Sequence, residues 1–171
     1  ALVLALHLLG VGKGDEVITA PNSFIASTAV ITHLGAVPVF VDVLQDQNID
    51  PSKIEAAITN KTKAIMPIHL TGRVSEMDAI AGIALKNGLS IIEDSAQAIG
   101  SKYRDQMSGS LGNAGCFSTH PLKNLNACGD GGFITTNDKN IYTNVKSLCN
   151  HGMEDRNIVR NFGYVSRMDN I

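Results

Sequence analysis

Lys123 lies in Cys116-Phe117-Ser118-Thr119-His120-Pro121-Leu122-Lys123-Asn124, where a strand end breaks at proline into a loop running to Gly129-Asp130-Gly131-Gly132. Upstream, Leu89-Ser90-Ile91-Ile92-Glu93-Asp94-Ser95-Ala96-Gln97 ends another apolar strand in a carboxylate, with an amide three residues later. One lysine, one carboxylate, one amide and one hydroxyl at strand ends form the set that a pyridoxal phosphate (PLP) site needs. The amine forms a Schiff base, the carboxylate keeps the pyridine nitrogen protonated, and hydroxyl and backbone N–H groups take the phosphate.

Each residue also has a plainer account. Asp94 beside a pyridinium would make a charge-assisted hydrogen bond that holds the ring proton; a strand-end aspartate more often caps the next helix. Gln97, one helical turn on, would lie on the same side of the chain and reach the ring's 3-hydroxyl. Lys123 must be neutral to attack an aldehyde, which desolvation or a cationic neighbour favours; most loop lysines are solvated charges. Its company argues for chemistry. Ser118 stands five residues before it at a strand end, and Gly129, Gly131 and Gly132 allow the backbone after it to turn tightly. His69 falls on the same presumed rim, with a satisfied structural histidine the favoured account. His120 is read as shaping the loop and given no proton-transfer role, since Lys123 can itself move the proton. Gly10-Val11-Gly12-Lys13-Gly14 lacks the spacing of a phosphate loop and reads as a helix stop.

These residues need a frame of strands. Apolar periodicity and Gly/Pro punctuation predict helices over 1–9, 24–34, 52–58, 77–86 and 139–149, and strands over 16–19, 37–41, 63–69, 89–93 and 131–136. Gly12 and Gly14 are expected to end the first helix, Asn22 or Ser23 to cap the second, Gly35 to stop it, and Pro51 to start the third. Pro67 argues for an interruption or a late edge in its strand. Strands alternating with helices predict an α/β domain with a mainly parallel sheet and helices on both faces. Ligands bind such sheets outside the carboxyl ends of the strands, where Asp94 and His69 fall.

Composition narrows the function classes. A chain of 171 residues with 44% hydrophobic and 18% charged residues is globular, and suits one domain. A formal charge of −2 leaves no electrostatic footprint for nucleic acid or an anionic membrane. No apolar run approaches the roughly 18 residues of a membrane span. Three cysteines, Cys116, Cys128 and Cys149, without CxxC spacing are expected as reduced thiols in a cytoplasmic protein. The uncapped helix at Ala1 and the abrupt stop at Ile171 suggest a piece of a longer protein.

The strings Gly14-Asp15-Glu16-Val17-Ile18, Asn22-Ser23-Phe24, Ala36-Val37-Pro38-Val39-Phe40-Val41-Asp42, Glu93-Asp94-Ser95-Ala96-Gln97-Ala98, Phe117-Ser118 through Lys123-Asn124-Leu125, Gly129-Asp130-Gly131-Gly132, Asn150-His151-Gly152 and Gly163 to Met168 occur in order along the chain. Together they resemble the DegT/DnrJ-type sugar aminotransferases. The resemblance implies the large domain of a fold-type-I PLP-dependent transferase, spanning 1–171 without an N-terminal segment or the smaller C-terminal domain. It implies transfer of an amino group, usually from glutamate, to a keto sugar carried on a nucleotide, by a homodimer with its active site at the interface.

Position by position, the resemblance makes Lys123 the Schiff-base lysine and Asp94 the partner of the pyridine nitrogen. It places Gln97 near the 3-hydroxyl, Ser118 on the phosphate, and Phe24 over the ring as an aromatic cover. Packing of Phe24 into the core remains an equal alternative. Two departures stand out. The Gly-Thr pair at the N-terminus of the phosphate-cradling helix would precede Ala1, and Val165 occupies a position where many relatives carry an asparagine that reaches a neighbouring subunit's phosphate. Within the resemblance, a dehydratase would replace the lysine with histidine, which Lys123 argues against. A non-catalytic regulatory homologue would have no reason to retain Asp94, Gln97, Ser118 and Lys123 together. An α/β domain holding another phosphorylated ligand remains the third reading.

Overall fold

The structure is a computed structural model and describes residues 1–168. Its elements in chain order are α1 (Leu2–Leu8), β1 (Glu16–Thr19), α2 (Ile25–His33), β2 (Val37–Phe40), α3 (Pro51–Ala57), β3 (Thr62–Met66), α4 (Met77–Asn87), β4 (Ser90–Asp94), β5 (Lys102–Tyr103), β6 (Gln106–Met107), β7 (Ala114–Ser118), β8 (Gly132–Thr135) and α5 (Lys139–Leu148), followed by the short strands β9 (Met153–Asp155) and β10 (Ile158–Val159). Six strands form one sheet in the order β2-β1-β3-β4-β7-β8. All pairings in it are parallel except the last, where β8 runs antiparallel to β7.

Strand alternation divides the core between two faces. Val17, Ala64, Met66, Ile92, Ala114 and Cys116 face α1 and α2, whose Ala5, Leu6 and Ile31 complete one cluster. The neighbouring residues Ile18, Ile65 and Ile91 face α3 and α4, packing with Ile54, Met77, Ile80 and Ala84. Helices therefore cover both faces.

Local chemistry fixes the element ends, with some corrections to the expectations. The helix α1 ends at Leu8, four residues before Gly12, the first of the predicted glycines. Gly10, at φ 80°, supplies the left-handed residue, and the N–H groups of Gly10 and Val11 close on the carbonyls of His7 and Leu6. Gly35 ends α2 in the same way, as predicted, with N–H bonds from Gly35 to Thr32 and from Ala36 to Ile31. The N-cap of α2 is Phe24, and neither Asn22 nor Ser23 supplies a side-chain cap. Asn22 instead donates to the Gln47 carbonyl. Pro51 opens α3, with Asp50 accepting from the Ser52 N–H. The predicted 63–69 strand ends at Met66. Pro67 lies just past the end of an internal strand, so it is an interruption and not an edge. Lacking an N–H, it contributes its carbonyl, which accepts from Asp94 N at 2.9 Å.

Candidate functional site

The carboxyl ends of β3, β4 and β7 converge on one cavity of about 580 Å³. All five predicted residues, Phe24, Asp94, Gln97, Ser118 and Lys123, line it. A second cavity of about 500 Å³ shares Leu2, Asp94, Ser118 and Gly131 with it and adds Gly132 and Val165.

Asp94 is the last residue of β4 and only 4% exposed. Its Oδ2 accepts from the Ser27 hydroxyl at 2.7 Å, and its Oδ1 accepts from the Ala96 N–H at 3.2 Å. The chain then turns without forming a helix, closing with an Ala98 N–H bond to Ser95 O, so the helix-capping account of Asp94 fails. The Ala96 contact is instead a local aspartate turn. Among the described residues no Lys, Arg or His pairs with this carboxylate. A buried carboxylate without a countercharge is costly unless a cationic group enters beside it.

Gln97 is not a helical turn away from Asp94, because no helix exists there. It reaches the cavity from a turn, and its Oε1 accepts from the Thr71 N–H at 3.0 Å. Thr71 takes the left-handed conformation, φ 55°, which presents that N–H to the amide. Since a backbone N–H can only donate, it identifies the accepting atom as oxygen and leaves both Nε2 protons for an acceptor in the cavity.

Lys123 is half-buried in the loop that follows β7. The loop is tied by Lys123 N to His120 O at 2.8 Å, Ala127 N to Thr119 O at 2.8 Å and Thr119 N to Gly131 O at 2.9 Å. Lys123 has no ion pair among the described residues, so its Nζ is uncommitted. Ser118 Oγ accepts from the His120 N–H at 3.2 Å, which leaves the hydroxyl proton for an anion. His120 is exposed, and its Nδ1 accepts from Leu122 N at 3.2 Å, in keeping with a loop-shaping role.

Phe24 is 75% exposed, so it does not pack in the core. Its ring stands at the cavity mouth, at the start of α2. His69 is fully buried. Its Nδ1 accepts from Ser75 N at 3.3 Å, so Nε2 carries the proton and donates to Glu93 Oε2 at 2.9 Å. That is a satisfied structural histidine. Val165 is exposed, pairs its backbone with Asn150 and lines the second cavity.

Sequence reasoning passed over two groups. Ser27 is 3% exposed within a helix and holds Asp94. Glu93, also fully buried, accepts N–H bonds from Gly109, Leu111 and Gly112 at 2.7 Å each, in addition to His69. Burial, the largest influence, pushes the Glu93 carboxyl up, but the His69 N–H and the backbone N–H groups of Gly109 and Gly112 outweigh it and hold it below the ordinary range. The only available signal was a charged pair, Glu93-Asp94, closing an apolar strand, in which one side chain must face each side.

The family model described as "DegT/DnrJ/EryC1/StrS aminotransferase family" matches residues 1–171. The chain is 48% identical over 99% of its length to a pleiotropic regulatory protein of Geobacillus stearothermophilus, covering 46% of that protein. It is 47% identical over 99% of its length to UDP-N-acetyl-3-dehydro-alpha-D-glucosamine 3-aminotransferase of Acidithiobacillus ferrooxidans, again covering 46% of it. Its fold superposes on NtdA from Bacillus subtilis, solved with bound cofactor PMP, with a TM-score of 0.91 at 38% identity, covering 98% of this chain and 39% of that one. The chain thus spans less than half the length of these relatives.

Proposed function

The chain belongs to the DegT/DnrJ/EryC1/StrS aminotransferase family, and from that premise we propose that it forms the PLP-binding part of an enzyme that moves an amino group, from glutamate as donor, to a keto sugar carried on a nucleotide. The observation that carries this reading is Asp94: a buried carboxylate with no cationic partner among the described residues, lining the same cavity as the uncommitted amine of Lys123. The relatives' names support the sugar-nucleotide substrate, and a homodimer in the cytoplasm is part of the same reading. Three free cysteines, with no disulfide among the described residues, support that compartment.

The donor set suits PLP. When bound, the cofactor supplies an aldehyde and an electron-accepting pyridine ring. Asp94, buried, would hold a proton on the ring nitrogen through a charge-assisted hydrogen bond. Gln97 Nε2 would donate to the ring's 3-hydroxyl oxygen, and Ser118 would donate its free hydroxyl proton to the phosphate. Phe24 offers a flat apolar face that orients the ring and excludes water. Lys123 Nζ would hold the cofactor covalently at its aldehyde carbon, the carbonyl oxygen leaving as water. Freed by an incoming amine, the same Nζ would serve as the base that takes up and returns a substrate proton.

The regulatory name of one relative keeps a second reading in view, a homologue of this fold without turnover. Both are tested by reconstituting the protein with PLP. The proposed enzyme acquires a visible absorption band that changes on adding glutamate, and Lys123→Ala lacks it. A protein that stays colourless with PLP, or a Lys123→Ala variant that transaminates normally, contradicts the proposal.

A further inference from the structure

The Ser27 hydroxyl crosses from α2 to the end of β4 to reach Asp94 Oδ2 at 2.7 Å, joining residues 67 apart in sequence. Its setting is unusual for a helical serine. The face of α2 around it is apolar, with Val30, Ile31 and Leu34 packed on the sheet. A serine so placed commonly bonds back to the carbonyl one turn earlier. Here the hydroxyl spends its proton on the carboxylate instead.

The direction of the chain of bonds follows from the acceptor. A carboxylate only accepts, so Ser27 must donate to it, which leaves Ser27 Oγ as the acceptor of its contact with Ser23 Oγ at 3.3 Å. Ser23 O–H therefore points to Ser27, and Ser27 O–H points to Asp94. Aligned hydroxyls polarise one another, and the bond that ends on a charge is the stronger. Ser23 lines the 580 Å³ cavity, so the relay runs from the cavity wall to the buried acid.

Resting on the PLP reading above, we propose that Ser27, backed by Ser23, is a positioning residue that keeps the Asp94 charge in place and its carboxylate oriented, so that the ring proton of the bound cofactor stays on nitrogen. Both Asp94 oxygens already have a protein donor, yet each retains a second lone pair for the pyridinium. Loss of the Ser27 bond favours transfer of the shared proton from the ring to the carboxylate and frees the carboxylate to rotate.

The test uses holoenzyme reconstituted with PLP carrying ¹⁵N at the ring nitrogen. In the wild type the nitrogen resonates as protonated. In Ser27→Ala the signal moves toward the unprotonated position, and kcat falls roughly tenfold, the scale of one charge-assisted hydrogen bond, with KM for the amino donor little changed. Ser27→Thr keeps the hydroxyl and restores both readouts, while Ser23→Ala gives a smaller shift of the same sign. A Ser27→Ala holoenzyme with wild-type ¹⁵N shift and kcat overturns the inference alone. So does a Ser27→Thr variant as impaired as Ser27→Ala, since that result assigns the loss to packing. A wild-type protein that binds no PLP overturns the proposed function itself.

Discussion

Glu93 and Asp94 are consecutive residues of β4 whose carboxylates leave the sheet on opposite faces, each buried and each held by a different part of the chain. Asp94 turns toward α2 and the cavity, where Ser27 meets it. Glu93 turns the other way and gathers His69 and the 109–112 loop. The two are mechanically joined, because His69 N donates to Asp94 O at 3.0 Å while the His69 ring donates to Glu93. One side of the strand braces the backbone from which the other side presents an acid.

Removing the brace should therefore cost stability. Glu93→Ala strands three backbone N–H groups and the His69 ring proton without acceptors, and the expected loss is about 3 kcal/mol or more in urea unfolding. An unchanged midpoint would mean that the 109–112 loop is held by other contacts.

The same carboxylate sets an acid limit. The Glu93 carboxyl is lowered in the folded protein, so its contribution to stability is fully present above the ordinary glutamate range, near pH 4.3. It is lost as pH falls through the lowered folded value. Unfolding free energy measured from pH 7 downward should hold steady with respect to this group until about pH 5 and then decline. Glu93→Gln should flatten part of that decline; an identical acid profile in the variant would contradict the assignment.

Gly109 should tolerate no side chain. It sits at φ +81°, and an added Cβ would come within 2.4 Å of Phe117 Cε2 in the ring stacked on Phe133. Gly109→Ala is expected to destabilise by about 2–4 kcal/mol from backbone strain and overpacking together. Equilibrium unfolding with wild-type stability would show that the loop relaxes freely.

Thiol chemistry should separate the cysteines. Burial pushes the Cys116 thiol up to about 12, with Asp94 and Glu93 adding to the effect and the chain's amino terminus opposing it. Cys128 is exposed. Alkylation of native protein at pH 8 should modify exposed Cys128 well before buried Cys116, whose thiol stays almost wholly protonated at that pH. Peptide mapping that finds Cys116 modified first would contradict the burial.

The sequence carried much of this fold because its signals were local. Glycines at Gly35 and Gly88, proline at Pro51 and runs of apolar residues report on neighbours a few positions away, and these elements fell where they were expected. Asp94, Gln97, Ser118, Lys123 and Phe24 were singled out together and line one cavity. What stayed hidden depends on distant chain. The antiparallel course of β8 is set by the return of the 120–131 loop, and nothing in its own four residues encodes direction. The exposure of Phe24 follows from where α2 begins. A serine between Ala26 and Thr28 gives no hint that an acid 67 residues away needs its proton. Gln97 stands in a turn and not one helical turn from Asp94, and its amide finds its partner, the Thr71 N–H, in another loop.

The central claim is that Lys123 Nζ bonds the cofactor while Asp94 holds its ring. It is tested most directly by reducing the PLP-loaded protein with borohydride and mapping the attachment by peptide mass spectrometry. The account predicts a single phosphopyridoxyl group on Lys123, and its absence in Lys123→Ala. Attachment at another lysine, or none at all in a protein that retains PLP, would contradict it.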